Sequence, residues 1–78
     1  MPTILRWGAY RAFFYSNESG EPPHLHVRRG DCEAKFWLHD LSLAVNAGFP
    51  AHEIGAIVRY LRPRLGELEG KWHEHFGN

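Results

Sequence analysis

Glu21-Pro22-Pro23-His24-Leu25-His26-Val27-Arg28-Arg29-Gly30-Asp31-Cys32-Glu33-Ala34-Lys35-Phe36-Trp37-Leu38 is the stretch that decides the fold. Two alternating runs flank Gly30-Asp31, and a two-residue turn with glycine first suits the type II′ geometry that matches strand twist. That turn sets Arg29 against Cys32, Arg28 against Glu33, Val27 against Ala34, His26 against Lys35, Leu25 against Phe36 and His24 against Trp37. Directly opposed residues of an antiparallel pair share a face. One face is then Leu25, Val27, Ala34 and Phe36, apolar throughout; the other is His24, His26, Arg28, Glu33, Lys35 and Trp37. A slip of one residue would mix the two sets, so the partition supports the register. Pro22 and Pro23 cannot donate to a ladder and bias their predecessors to extended backbone, which marks His24 as the start of the hairpin.

Before this hairpin, Thr3 to Trp7 is a short β-prone run that Gly8-Ala9 can turn into a second, Tyr10 to Ser16. In that second strand Tyr10, Ala12 and Phe14 alternate with Arg11, Phe13 and Tyr15, and Arg11 puts its set on the more open face. Ser16 to Glu21 is polar and turn-forming, a loop beside His24 able to rim whatever the histidine face binds.

After the hairpin, Asp40 is a good N-cap for a short helix from Leu41 to Ala47, with Gly48 following as its C′ residue. The alternative is that Leu41 to Val45 prolongs the strand. A longer helix starts near Ala51, with Glu53 in its first turn. Ile54, Ile57, Val58, Leu61, Leu65, Leu68, Trp72 and Phe76 form an apolar stripe at steps of three and four. Pro63 falls within the stripe without changing its phase, which predicts one kinked helix or two collinear pieces. The expected fold is α+β: one domain over 1–78, with a four-stranded, mostly antiparallel sheet of two N-terminal hairpins, covered on one face by a short helix and a long, Pro63-kinked one.

The chain has 78 residues, 44% of them hydrophobic and eleven aromatic (three Trp, three Tyr, five Phe), enough for a compact core and too apolar for disorder. Nine basic residues balance nine acidic ones, so nucleic-acid binding would need a local patch. A single core is only just sufficient at this size, which makes a homo-oligomer the default expectation. One cysteine excludes an intramolecular disulfide and a cysteine-rich zinc site. No apolar run approaches the ~20 residues that span a bilayer. Together these point to a cytoplasmic protein with no membrane partner.

The segments Phe13 to Glu18, Glu21-Pro22-Pro23-His24-Leu25-His26-Val27, Ala34 to Trp37 and Trp72-His73-Glu74-His75-Phe76-Gly77 together resemble a family of small bacterial proteins catalogued as a domain of unknown function. The resemblance spans nearly the whole chain, and its most specific element is E-P-P-H-aliphatic-H-V. It implies a bacterial gene product often encoded beside another small protein in toxin-antitoxin-like pairs, so the product of an adjacent small gene is an expected partner. It brings no catalytic residues with it. Pro50, where a polar helix cap is expected, and Pro63 depart from the pattern.

The chemistry on offer lies on the non-apolar face of the hairpin. His24 and His26 can exchange protons near neutral pH, and Lys35, Arg28 or Arg11 can stabilise negative charge on a reacting phosphate. Phe13, Tyr15 and Trp37 can stack on unpaired bases. His24, His26 and Lys35 are thus the catalytic candidates for RNA cleavage, and Arg11, Phe13, Tyr15, Arg28 and Trp37 the candidates for RNA or partner binding. An ordinary solvated sheet face explains the same residues, and Arg28 opposite Glu33 reads as a plain cross-strand ion pair. His24 and His26 are also the metal candidates, with Glu33, His39, His73 and His75 the local candidates for further ligands; none stands at a recognisable spacing, so no metal or other cofactor is assigned. If the aromatics are exposed, the face suits a protein partner or a second copy, and the sheet edges offer strand addition.

Overall fold

The computed structural model describes residues 3–15 and 20–77. Five strands precede one helical run: β1 (Thr3–Trp7), β2 (Tyr10–Phe13), β3 (His24–Arg29), β4 (Cys32–Trp37), β5 (Leu43–Ala47), then α1 (Ala51–Leu61), a 3-10 turn (Arg62–Arg64) and α2 (Leu65–Phe76). The sheet is a meander in the order β1-β2-β3-β4-β5, antiparallel at every step.

The hairpin of β3 and β4 has the expected register from Arg29 opposite Cys32 to His24 opposite Trp37. Gly30 has φ 58° while Asp31 stays at negative φ, the asymmetry that a turn with glycine first requires. Leu25, Val27, Ala34 and Phe36 are all buried, and with Ala12 and Phe14 they form the sheet side of the core. Burying a side chain of Leu, Val or Phe size contributes about 1.5–3 kcal/mol. This face therefore anchors the fold.

Three expectations are corrected. The sheet has five strands rather than four, and the segment expected to be a short helix from Leu41 to Ala47 is mostly strand β5, paired with β4 from Glu33 opposite Ala47 to Phe36 opposite Leu43. A helix of seven residues cannot sustain itself, whereas the open edge of β4 offers backbone partners at once. Asp40 does cap a backbone N–H, that of Ser42 at 2.9 Å, but in a turn: Leu41 has φ 59°, outside helical backbone, and the Trp37 N–H donates to the Ser42 carbonyl. The Ser42 hydrogen bonds hold the Asp40 carboxyl below its ordinary pKa. Finally, β2 ends at Phe13 rather than Ser16. Of the loop expected at Ser16 to Glu21, residues 16–19 lie outside the described residues.

The apolar stripe of the C-terminal run is in place. Ile57, Leu61, Leu68 and Trp72 are buried, and Ile54, Val58, Leu65 and Phe76 pack against the same core. Pro63 sits in the first turn of the 3-10 segment, where a missing N–H costs little, so the stripe continues from α1 into α2. Gly77 closes α2 with φ 76°, its N–H donating to the His73 carbonyl. Among the described residues, no helix is long and apolar enough to cross a membrane.

A network joins the helices to the sheet. Glu53 on α1 accepts from the Tyr10 hydroxyl at 2.6 Å and pairs with the Arg29 guanidinium through both carboxylate oxygens. Beside it, Trp7 stacks on Tyr60 at 4.3 Å and on Tyr10 at 5.0 Å. The side-chain amide of Asn46 donates to the Phe49 carbonyl and its oxygen accepts from the Phe49 N–H, closing the passage from β5 into α1.

Candidate functional site

The sheet face turned away from the core is laid out in cross-strand rows. One row runs Arg6, Arg11, Arg28, Glu33, Ala47; the next runs Phe13, His26, Lys35, Val45; a third pairs His24 with Trp37. The eight residues singled out from the sequence are gathered here by the alternation of β2, β3 and β4, with Tyr15 joining from just beyond β2. The gathering is as expected, but the exposure is not.

His24 is fully buried and His26 is 6% exposed. Nδ1 of His24 is 2.9 Å from the Pro22 carbonyl oxygen, to which it can only donate, and its ring packs 4.9 Å from Trp72, 5.7 Å from Trp37 and 5.2 Å from His26. Trp72 comes from α2, and His24 is the first residue of β3. The expectation of an open histidine face is thus corrected at His24, which is packed as a core residue. Phe13 is likewise fully buried, stacked on His26 at 5.6 Å with Tyr15 edge-on at 5.1 Å, so it cannot present its ring to a base. Tyr15 and Trp37 are half-buried.

His26 belongs to a small polar cluster that the hairpin register makes unavoidable. Glu33 Oε2 lies 3.5 Å from His26 Nδ1 and accepts from the Tyr15 hydroxyl at 3.1 Å; its Oε1 is 4.0 Å from Arg28 Nε. The 3.5 Å contact sets a carboxylate beside Nδ1, on the side from which an imidazole in acid–base chemistry is oriented. The cluster borders an open recess of about 290 Å³ lined by His26, Glu33, Ala34, Lys35, Val45 and Ala47. Lys35, one of its lining residues, is already engaged: Nζ donates to Glu21 at 2.6 Å and lies 4.7 Å from the centre of the Trp37 ring.

Two residues of this face, Glu33 and Arg6, are absent from the catalytic and binding candidates read from the sequence, although Glu33 stands there as a local candidate to complete a metal site with His24 and His26. Glu33 was legible as the partner of Arg28, but its contacts with Tyr15 and His26 needed the placement of the chain beyond β2. Arg6 needed the register of β1 against β2, which aromatics on both faces of β2 leave open in the sequence. Arg64, by contrast, is used within the helical run, donating to the Tyr60 carbonyl at 2.6 Å and stacking on its ring. Among the described residues, no group of three or more His, Cys, Asp or Glu side chains is placed to hold a metal ion.

The family model described as a domain of unknown function, DUF4160, matches residues 9–73. No curated protein and no solved structure matches the chain.

Proposed function

From a chain that belongs to the DUF4160 family of unknown function, we propose an RNA-binding and RNA-cleaving component of a bacterial toxin-antitoxin-like module, acting in the cytoplasm through the His24/His26 face. The observation that carries this reading is the convergence of Tyr15 and His26 on one oxygen of Glu33 at the wall of an open recess. His26 is the acid–base group and His24 packs behind it. In the reaction, His26 takes the proton of a ribose 2′-hydroxyl as O2′ bonds to phosphorus; the bond to O5′ breaks, and that oxygen leaves with the electron pair and takes a proton from water. Arg28, and Lys35 once released from Glu21, balance the charge that develops on the phosphate. The half-buried rings of Tyr15 and Trp37 edge the site where a base can stack.

The test is incubation of purified protein with single-stranded RNA. Fragments ending in a 2′,3′-cyclic phosphate are expected, lost in His26→Ala and sharply reduced in Glu33→Gln. Intact RNA, or equal cleavage by His26→Ala, overturns the reading.

A protein partner through strand addition is the second reading, favoured by β5. This strand lies at the sheet edge, contains neither charge nor proline, and exposes Leu43 and Val45 at 43% and 56%. Co-expression with the product of the adjacent gene, followed by purification of wild type and Val45→Lys, separates the two. Loss of a co-purifying partner in Val45→Lys supports strand addition; retention rejects it.

A further inference from the structure

Arg6, Arg11 and Arg28 stand directly opposite one another on three consecutive strands, β1, β2 and β3. At the usual spacing of roughly 4.8 Å between strands, their backbones span about 10 Å on one face. Like charges set directly opposite each other destabilise a sheet, and here the arrangement occurs twice in succession. Compensation is sparse. Arg28 has Glu33 at 4.0 Å, while neither Arg6 nor Arg11 has a carboxylate within ion-pair reach among the described residues. Arg11 rests over Phe13 at 4.7 Å, and its Nε is a buried donor without a hydrogen-bond partner.

A chain with equal numbers of basic and acidic residues has no general excess of positive charge to distribute. Folding stability is served by neutral or opposite-charge pairs at these positions, so the row costs stability that an anion would return. Flat guanidinium groups suit phosphate oxygens, which they can meet with two donors at once. Next to Arg28 in the row stands Glu33, a carboxylate that repels phosphate and borders the recess. A strand lying on the arginines would therefore place its phosphates over β1, β2 and β3, with the next ribose directed to the recess.

We propose that Arg6, Arg11 and Arg28 form a track for successive phosphates of a single nucleic-acid strand. This deepens, and rests on, the reading of the face as an RNA site; an acidic protein segment is the competing occupant.

Oligothymidylate tests the track apart from the chemistry, because it carries phosphates but no 2′-hydroxyl to be attacked. Its binding is measured by fluorescence anisotropy over a range of salt concentrations. Three phosphate contacts predict a slope of log K against log salt of about −2, at roughly 0.7 per phosphate on a single strand. Arg6→Gln and Arg28→Gln, both at exposed positions, each weaken binding several-fold and make the slope shallower by about 0.7. Arg59→Gln, on exposed α1 surface outside the row, binds as wild type. Arg6→Gln also melts no lower than wild type, since it removes a repulsion.

Absence of binding, an unchanged slope in both row variants, or equal competition by polyglutamate of matched charge overturns the proposal. Row-dependent oligothymidylate binding with RNA left intact sustains the track while the cleavage reading fails. Full RNA cleavage at subsaturating substrate by Arg6→Gln, which leaves Arg28 in place, together with unchanged oligothymidylate binding by that variant, does the reverse.

Discussion

Arg29 on β3 holds Glu53 on α1 in a two-point grip, Nε to Oε2 and the terminal nitrogen to Oε1, and so ties the first turn of the helical run to the hairpin that defines the sheet. Tyr10 donates to the same carboxylate from β2. The grip holds the Glu53 carboxyl below its ordinary pKa, through the Arg29 hydrogen bond first and the Tyr10 hydrogen bond second, against the opposing effect of desolvation. A carboxyl depressed on folding adds stability that is present above its unfolded pKa, about 4.3, and is lost as the pH falls through the folded value. Wild type should therefore lose thermal stability as acid protonates Glu53. Glu53→Gln should melt lower at pH 7 and show a flatter acid limb; melting curves from pH 2 to 7 check both.

His24 supports the fold from within. Its ring fills space between Trp37, His26 and Trp72 and is fully buried. His24→Ala should cost on the order of 2–4 kcal/mol, as large-to-small core substitutions do. Denaturant unfolding measures it. On the proposed RNA reading, cleavage by His24→Ala should recover under conditions where the variant is folded, whereas that by His26→Ala should not.

Gly48 is required twice over. Its φ of 104° is a conformation that side chains rarely adopt, and a Cβ there would lie 3.1 Å from Cys32 Sγ. Gly48→Ala should destabilise by about 1–3 kcal/mol. Adding Cys32→Ala removes the contact but not the backbone strain, so the double variant should recover only part of the loss; full recovery would show that the strain is negligible.

Asn46 closes the turn into α1 with two hydrogen bonds to the backbone of buried Phe49, at 2.8 and 3.1 Å. At about 0.5–1.5 kcal/mol each, Asn46→Ala should cost roughly 1–3 kcal/mol. Asn46→Asp keeps the acceptor and loses the donor, and should fall between. Equal stability of all three proteins in urea would discount the turn.

Much of the fold was legible because it is set by near neighbours. The hairpin of β3 and β4 needed only alternation and a turn glycine, and the stripe from Ile54 to Phe76 only its period. The segment from Leu41 to Ala47 was misread because seven residues with a plausible cap satisfy a helix and a strand about equally. What decided it was the unpaired edge of β4, which is not a property of that segment. The candidate site divides in the same way. The placement of His26, Arg28, Glu33 and Lys35 on one face followed from local register, whereas the alignment of Arg6 with Arg11 and Arg28 depended on how β1 and β2 pair.

By itself, then, the sequence determined which side chains share a face, because alternation along a strand is a local geometric constraint. Only the tertiary structure decided which of them meet solvent. Trp72 packs over His24 from α2, and Phe13 and Tyr15 pack against His26 from the β2 side. Burial is a sum over everything that packs against a residue, and the packing partners come from the whole chain.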